Sequence, residues 1–419
     1  MDVTEEIEAG DYEIEIQLQK EGENVCSSVM KLSVIGVTLP KLGIMHTEWL
    51  HADCLADYYH VEGFSEEHWK LLENYFHEYV QRGCNMMLVP LFTLPLDTAV
   101  GLERTTTQLI EVEVKDEEYR FGFDKLKRWI DLCKDCGIEY FEMSHLFSQW
   151  GAKYAPKVVA MVDGKEEKIF GWHTPAVGEY TKFLQCFLPK LTNKLREWEI
   201  AEVTYFHISD EPREAHLESF KAAKESLGDL LYGFHTFDAL SSYEFYRHGL
   251  IDKPIPGNNE IEEFLWTYYC TGQFYEVSNR FMSMPSARNR IYGVQLFKYD
   301  IIGILHWGYN FYNSQFSIEH INPYEVTDSG NAFPSGDPFL VYPGSDGHPE
   351  ESIRMMVHYE ALTDLRALRL LESLAGKEYV MDLVEGELSE PLTFKRYPKS
   401  DMYLITLRNR VNREIARRI

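Results

Sequence analysis

The chain has 419 residues, a length that allows two or three ordinary domains or one large barrel with additions. Its net charge of −26, with no basic stripe in the sequence, argues against a function in binding nucleic acid or an anionic membrane. Apolar residues make up 45% of the chain and aromatic residues 14%, so a large core can be buried and flat aromatic faces are available that suit sugar rings.

The cysteines and the N-terminus bear on location. The seven cysteines are odd in number and most lie within apolar patterns, which predicts reduced, buried thiols and a cytoplasmic protein. Cys133 and Cys136 form a Cys-x-x-Cys pair inside a helical pattern with no second pair, so we interpret it as packing. The acidic N-terminus is unlike a signal peptide, and no apolar run in the sequence is long enough to cross a membrane.

Residues 1–39 have β character. Apolar and polar residues alternate from Tyr12 to Gln19, which is the pattern of a half-buried strand, and after a turn β character continues from Val25 to Val37. Two strands alone are only marginally stable in water, so they either pack on the main body or are what remains of a β-sandwich, and we favour the sandwich. Pro40 marks the boundary of this segment.

From residue 40 to residue 375, predicted strands alternate with predicted helices. The strands are predicted at 42–51, 85–93, 138–147, 203–209, 231–237, 250–256, 264–270 and 303–309. The helices are predicted at 65–82, 123–136, 177–198, 213–227, 288–300 and 349–374. Eight such strands predict an α/β fold of the (β/α)8 barrel type, with a short N-terminal β segment and a C-terminal appendage.

Several segments interrupt or follow this alternation. A long excursion runs from Leu94 to Arg120, and a hairpin insertion with Asp163 and Gly164 at its turn follows the third strand. The loop 310–341 is a candidate lid or subunit contact, so homo-oligomerisation stays open. Residues 376–419 are predicted to form a small mixed appendage that ends in a basic helix.

Two adjacent carboxylates, Asp210 and Glu211, follow the fourth predicted strand. Pro212 ends that strand because proline has no N–H for the ladder. In barrels, ligands bind at the carboxyl ends of the strands, and two adjacent acids there are costly because like charges repel. The pair is either a stabilising feature at a helix N-terminus or part of a catalytic site.

Polar and aromatic residues follow the other predicted strands and should converge on the same mouth. The candidates for substrate binding are Trp49, His145, His207, His235, Tyr268, Trp307 and Asn310, and Trp150 also lies at a strand end. Taken singly, each is more often structural, but together they predict a cleft with stacking faces and hydrogen-bonding groups.

Metal and cofactor chemistry find little support in the sequence. His46 with Glu48, or His207 with Asp210, could supply metal ligands, but the sequence has no His-Glu-x-x-His motif or other tight ligand cluster. Phosphate-binding and dinucleotide-binding glycine motifs and a Gly-x-Ser-x-Gly nucleophile motif are also absent from the sequence. We therefore predict no metal and no cofactor.

Glycoside hydrolysis fits the acidic pair better. It needs an acid to protonate the leaving oxygen and a group that stabilises the oxocarbenium-like centre, and Glu211 is the natural acid. The predicted strands seven and eight carry no carboxylate nucleophile, and adjacent carboxylates do not easily flank an anomeric carbon from both faces. Substrate assistance remains: a 2-acetamido oxygen attacks, Asp210 holds the acetamido N–H, and Glu211 acts as acid and then base.

The segment from His207 to Pro212 resembles the Asp-Glu motif of glycoside hydrolase family 123, the β-N-acetylgalactosaminidases, and of the wider DUF4091 proteins. Further resemblances, in the same order along the chain, are 266–270, 303–310, 342–344 and 352–354. The resemblance spans about residues 41–375. It implies a barrel behind an N-terminal β-sandwich and retaining, substrate-assisted release of terminal β-linked N-acetylhexosamine, with N-acetylgalactosamine favoured. It also implies Asp210 as stabiliser and Glu211 as acid/base, with a carbohydrate or glycoconjugate as partner.

Departures from the pattern keep two alternatives open. Related β-hexosaminidases carry two glycines where this chain has Ile208 and Ser209, and the β-sandwich is nearly absent. One alternative is a glycosidase that uses a separate nucleophile, such as Glu48 or Glu142, on sugars without an acetamido group. The other is a barrel that binds carbohydrate without cleaving it.

Overall fold

The computed structural model describes residues 7–240, 244–259 and 265–419. Eight parallel strands form one sheet in the order six, five, four, three, two, one, eight, seven. They are Met45–Glu48, Met86–Val89, Tyr140–Met143, Thr204–Phe206, His235–Leu240, Lys253–Pro256, Trp266–Tyr268 and Gly303–His306. A single bridge between Gly257 and Tyr268 joins the sixth and seventh strands, so the sheet nearly closes into a barrel. The predicted fold class is therefore confirmed.

The fifth barrel strand begins later than predicted. Leu231 and Phe234 are buried and Tyr232 is exposed, because residues 231–234 form turns after a helix that ends at Leu227, with the N–H of Phe234 donating to the carbonyl of Leu231 at 3.0 Å. His235 is consequently the first residue of the strand and is exposed. It lies at the amino end of the strand, opposite the mouth, so its predicted position beside the other candidates is wrong. The predicted first residue of the seventh strand, Phe264, lies outside the described residues.

Helices surround the sheet. They are Ala52–Tyr59, Glu66–Gln81, Asp124–Cys136, Glu179–Glu197, Leu217–Leu227, Glu244–Arg247, Ser286–Arg290, Tyr292–Lys298 and Ile353–Ala375. Serine side chains cap two of the predicted helices, because Ser65 accepts from the N–H of His68 at 3.3 Å and Ser352 accepts from that of Met355 at 3.2 Å. The last barrel helix starts after Ser352, since residues 349–351 pair instead with the strand Val341–Pro343.

A four-stranded sheet lies beside the barrel and is built from the insertions after the second and third barrel strands. Its strands are Glu111–Lys115, Glu118–Gly122, Val158–Val162 and Lys165–Phe170. The hairpin that turns at Asp163 and Gly164 was predicted. The other hairpin turns through Asp116 and Glu117, which have φ of +53° and +61°, so no glycine marks it in the sequence.

The N-terminal segment is a two-stranded antiparallel hairpin, Gly10–Lys20 with Glu23–Val34. The prediction of β structure holds, but the prediction of a half-buried strand is wrong, since Ile16 and Leu18 are 55% and 61% exposed. Residues 377–385 and 401–416 form two helices that pack on Ile353–Ala375 and share an apolar core with it. All residues from 376 to 419 are described, and this segment is helical rather than mixed. Within the described residues, no helix combines the length and apolar composition needed to span a bilayer.

Candidate active site

A cavity of about 380 Å³ opens at the carboxyl ends of the barrel strands. Its described lining includes five of the residues that the sequence analysis placed at the mouth or at the acidic pair: Trp49, Asp210, Glu211, Tyr268 and Trp307. Trp150, also expected at a strand end, lines it too. The lining residues that sequence reasoning missed include Asp97, Arg213, Phe311 and Phe333. They come from irregular loops, where no periodicity marks a residue as facing a cavity.

The acidic pair is placed by a short strand and a strained turn. Thr204–Phe206 and the next three residues are buried, and the chain then reaches the cavity at Asp210. Glu211 has a φ of +39°, a left-handed conformation that a residue with a Cβ adopts at a cost of about 1–3 kcal/mol. The N–H of Trp150 donates to the backbone carbonyl of Asp210 at 2.9 Å, so the turn is tied to the loop after the third strand.

The two carboxylates have different partners. Glu211 accepts a hydrogen bond from the hydroxyl of Tyr268 at 2.8 Å, and the Cys270 thiol lies 3.8 Å from the same oxygen. In the part of the chain that the structure describes, no side chain hydrogen bonds to the carboxylate of Asp210. Neither acid forms an ion pair with a described lysine or arginine. The Asp210 oxygens are therefore available to a donor from a ligand.

Burial raises the pKa of both acids, and the charge of Glu211 raises that of Asp210 further. The hydrogen bond from Tyr268 opposes the increase at Glu211. Two adjacent carboxyl groups in a cleft do not readily ionise together, so the pair as a unit retains a proton more easily than either acid would in water. Such a pair can deliver a proton to a leaving oxygen and accept one from water.

His207 lies beneath the cavity rather than on its surface. Its Nε2 is 2.8 Å from Glu142 and its Nδ1 is 3.3 Å from Asp238, and the ring is fully buried. Burial alone would lower the pKa of His207, but these two carboxylates raise it to about 9, so the ring carries a positive charge. That charge favours ionisation of Asp210. His207, expected to contact substrate, thus supports the floor of the site instead.

His145 and Asn310 also lie away from the cavity lining. His145 stacks on His207 with ring centroids 4.3 Å apart, and burial together with that neighbouring charge lowers the pKa of His145 well below its usual range. Asn310 is buried and bonds the backbone of His51 twice, accepting at 2.8 Å and donating at 3.1 Å. The expectation that these two residues face the substrate is corrected: His145 packs beneath the cavity against His207, and Asn310 ties its loop to the backbone of His51.

Hydrogen bonds hold two of the aromatic walls in place. The indole N–H of Trp49 donates to Glu142 at 3.2 Å, and that of Trp307 donates to Asp337 at 3.0 Å. Asp337 also accepts from the Thr271 hydroxyl at 2.6 Å. The walls are thus preorganised flat surfaces, which suits stacking against a sugar ring.

Neither alternative nucleophile, Glu48 or Glu142, is among the residues that line the cavity. Arg280 binds both oxygens of Glu48 at 2.7 and 2.6 Å, and although burial opposes it, this ion pair holds the pKa of Glu48 well below its usual range. Glu142 is fully buried and accepts hydrogen bonds from Thr47, Trp49 and His207. Both carboxylates are fully engaged within the protein.

Among the described residues, two groups have side chains of the types that hold a metal ion. In each of them, His46 with Glu48 and His358, and His145 with His207 and Asp238, the potential ligand atoms lie within 4.8 Å of one another. In the first group, Arg280 occupies both oxygens of Glu48. In the second, both ring nitrogens of His207 are bound to carboxylates. The ligand atoms of the first group are therefore committed to protein partners, whereas in the second group the two ring nitrogens of His145 are buried without a hydrogen-bond partner among the described residues.

The parallel barrel, with an acidic pair between aromatic walls at the carboxyl ends of its strands, defines a barrel glycosidase. The family model described as "Glycoside hydrolase 123, catalytic domain" matches residues 49–371, which is most of the chain. The chain belongs to glycoside hydrolase family 123, as its motifs had indicated, and is a glycoside hydrolase. A search of curated proteins finds no significant match.

A solved structure agrees with this fold. The chain is similar to a family 123 glycoside hydrolase from Clostridium perfringens, described in terms of "glycolipid glycan hydrolysis", with a TM-score of 0.70 and 17% identity. That match covers 98% of this chain and 75% of the other. A family 2 glycosyl hydrolase from Bacteroides cellulosilyticus DSM 14838 matches at 8% identity and a TM-score of 0.36, covering 84% of this chain and 38% of that one. A TM-score this low does not establish a shared fold.

Proposed function

We propose that the protein releases a terminal β-linked N-acetylhexosamine, with N-acetylgalactosamine favoured, from a glycoconjugate by retaining, substrate-assisted catalysis. The observation that carries the proposal is the contrast among the acids. Asp210 and Glu211 face the cavity and form no ion pair with a described lysine or arginine, whereas Glu48 and Glu142 are bound within the protein. Since Glu48 and Glu142 are unavailable as nucleophiles, we infer that the substrate supplies one, and a 2-acetamido oxygen can do so.

In this mechanism Glu211 protonates the glycosidic oxygen as the acetamido oxygen attacks the anomeric carbon. The hydroxyl of Tyr268, 2.8 Å from Glu211, holds the acid in place and stabilises the carboxylate that proton transfer leaves behind. Glu211 then removes a proton from the water that opens the cyclic intermediate, which restores the starting protonation state and retains the anomeric configuration.

Asp210 accepts the acetamido N–H and stabilises the positive charge that develops on the cyclising group. Its carboxylate has no hydrogen-bond donor among the described side chains, so this position suits a donor from the substrate. Accepting that donor favours ionisation of Asp210, which leaves the shared proton on Glu211. The aromatic walls formed by Trp49, Trp150 and Trp307 shield this charge from water.

The likeness to the Clostridium perfringens enzyme supports glycolipid glycans as the first natural substrates to test. The primary experiment measures turnover of an aryl β-N-acetylgalactosaminide by the wild type and by Asp210→Asn and Glu211→Gln. Glu218→Gln, an exposed acid on the following helix, is the matched control. Turnover by the wild type and the control, with large losses in the other two variants, is expected. Saturable binding of the sugar without turnover by the wild type would instead indicate a barrel that only binds carbohydrate.

A further inference from the structure

A third carboxylate, that of Asp97, lines the same cavity from the loop after the second barrel strand. The backbone N–H of Phe316 donates to one Asp97 oxygen, Oδ2, at 2.9 Å, and the hydroxyl of Ser317 donates to the Asp97 carbonyl at 2.7 Å. The loop after the eighth strand therefore holds Asp97 in one orientation. In the part of the chain that the structure describes, no group hydrogen bonds to the other oxygen, Oδ1.

The surroundings leave the Asp97 carboxylate without a cation of its own. The buried guanidinium of Arg104 lowers the pKa of Asp97, but Arg104 is committed to both oxygens of Asp53 at 2.6 and 2.7 Å. Burial raises the pKa of Asp97 to about 6. Asp97 is near enough to Asp210 for its charge to raise the pKa of that acid as well, so the two carboxylates share one cavity.

An aromatic surface accompanies this free oxygen. Trp150, which lines the cavity, packs edge-on against Phe316 with ring centroids 5.8 Å apart. Asp97, Trp150 and Phe316 all have positive φ, at +39°, +56° and +61°, so three strained loops meet where they present a carboxylate and an indole to the cavity. A flat apolar face beside a hydrogen-bond acceptor is what a sugar ring with free hydroxyl groups requires.

The charge of the cavity limits the sugars that fit it. Among the described lining residues, Asp97, Asp210 and Glu211 are acidic, and Arg213 at the exposed rim is the only lysine or arginine. His51 also lines the cavity, but burial and Arg104 lower its pKa to about 3, so it is neutral. An anionic substituent on the bound sugar would therefore face three acids and one peripheral cation.

We propose that Asp97 determines specificity by accepting a hydrogen bond, through Oδ1, from a free hydroxyl group on the terminal sugar remote from its anomeric carbon. The enzyme accordingly takes a neutral, unsulfated N-acetylhexosamine and rejects one that carries sulfate at the hydroxyl facing Asp97. This inference rests on the proposed function, because it assigns a role to a further residue of the same cavity.

The test is a cycle of enzyme and substrate changes. Aryl β-N-acetylgalactosaminides that lack the hydroxyl at C3, C4 or C6 are compared with the parent substrate, for the wild type and for Asp97→Asn. For one of the three positions, the wild type should lose about 10- to 150-fold in kcat/KM, the range for a hydrogen bond to a charged group. Asp97→Asn should lose that factor already on the parent substrate and little more on the matching deoxy substrate.

Sulfated substrates give an independent readout. The wild type should cleave the parent sulfated at that same position at least about 100-fold less efficiently, and Asp97→Asn should recover about tenfold of this loss because one of the three acids has become neutral. Asparagine keeps an oxygen for the Phe316 N–H, and Asp229→Asn, an exposed aspartate, is the matched control.

Equal losses for every deoxy substrate in both enzymes would overturn the proposal. So would a variant that loses kcat on all substrates alike with unchanged KM, since Asp97 would then act in the chemistry. If Asp97→Asn does not fold, the wild type alone decides. A wild type that cleaves all three deoxy substrates as efficiently as the parent would contradict the proposal. If the wild type cleaves no N-acetylhexosaminide, the proposed function fails, and calorimetric binding of the free sugar and its deoxy and sulfated forms still tests Asp97.

Discussion

Two groups of carboxylates lie at the carboxyl ends of different strands of the barrel, and they differ in whether a cationic side chain forms an ion pair with them. Glu48, at the end of the first strand, has Arg280 on both oxygens and His46 at 3.1 Å. Asp210 and Glu211, after the fourth strand, have no described lysine or arginine within ion-pair distance. The pKa of Glu48 is consequently held well below its usual range, while burial raises those of the pair.

The presence or absence of an ion-pair partner distinguishes structural from functional acids more clearly than residue type does. A buried carboxylate with a guanidinium partner holds two elements together, and removing either partner leaves an uncompensated charge. A pair of acids with raised pKa and no ion-pair partner costs stability, and such pairs concentrate at catalytic sites. The strained φ of Glu211 adds to that cost at the same point of the chain.

The largest effect that would test this contrast is on turnover. Glu211→Gln removes the proton donor, so kcat/KM on an aryl β-N-acetylhexosaminide should fall about 100- to 10,000-fold, the usual contribution of general acid–base catalysis. The melting temperature should stay within a few degrees of that of Glu218→Gln. Near-normal turnover in Glu211→Gln would show that this residue does not carry the proton.

The next largest effect is on the stability of the protein when Glu48, the acid paired with Arg280, is changed. Glu48→Gln should lower the free energy of unfolding by about 3–5 kcal/mol, because Arg280 is left buried without its partner. Urea unfolding measures the loss, and Glu48→Gln combined with Arg280→Met should recover part of it. A variant that keeps its stability but loses activity would instead make Glu48 a member of the catalytic site.

A smaller effect concerns the support of the acid. Tyr268→Phe removes the hydrogen bond that lowers the pKa of Glu211, so that pKa should rise and the protonated form should persist to higher pH. The alkaline limb of the kcat/KM profile should therefore move to higher pH, with a loss of about tenfold at the optimum. A limb that moves to lower pH, or does not move, would contradict this role of Tyr268.

The smallest effect is a gain in stability when the uncompensated charges are removed. Both acids have folded pKa values above their unfolded values, so the stability they contribute is complete below about pH 4 and falls as pH rises through the folded values. The double variant Asp210→Asn, Glu211→Gln should exceed the wild type by about 1 kcal/mol at pH 7–8, and the advantage should disappear near pH 4. Thermal melts across this range measure it, and an advantage that grows at low pH would contradict the sign.

The sequence was sufficient for the parts of the molecule that local pattern determines. Alternating strands and helices indicated the barrel, and an apolar strand ending in Asp210 and Glu211 indicated the acidic pair. His235 could not be placed, because whether residues 231–234 extend as a strand or turn depends on packing after the preceding helix.

The roles of residues whose partners lie far away along the chain could not be predicted from the sequence. Glu48 and the acidic pair look alike as acids at strand ends, and the partner that distinguishes Glu48 lies 232 residues further along the chain. Asp97 sits in an irregular loop whose orientation is fixed by Phe316, 219 residues away. No local spacing rule connects such pairs.

The most direct test of the central claim is the dependence of turnover on the nucleophilicity of the 2-acylamino group. Aryl β-galactosaminides with N-acetyl, N-fluoroacetyl, N-difluoroacetyl and N-trifluoroacetyl groups are compared with the plain aryl β-galactoside. Substrate assistance by the uncompensated pair predicts that kcat/KM falls steeply with each fluorine and that the plain galactoside is not cleaved. A flat series, or cleavage of the galactoside, would mean that a protein nucleophile attacks the sugar and would contradict the account.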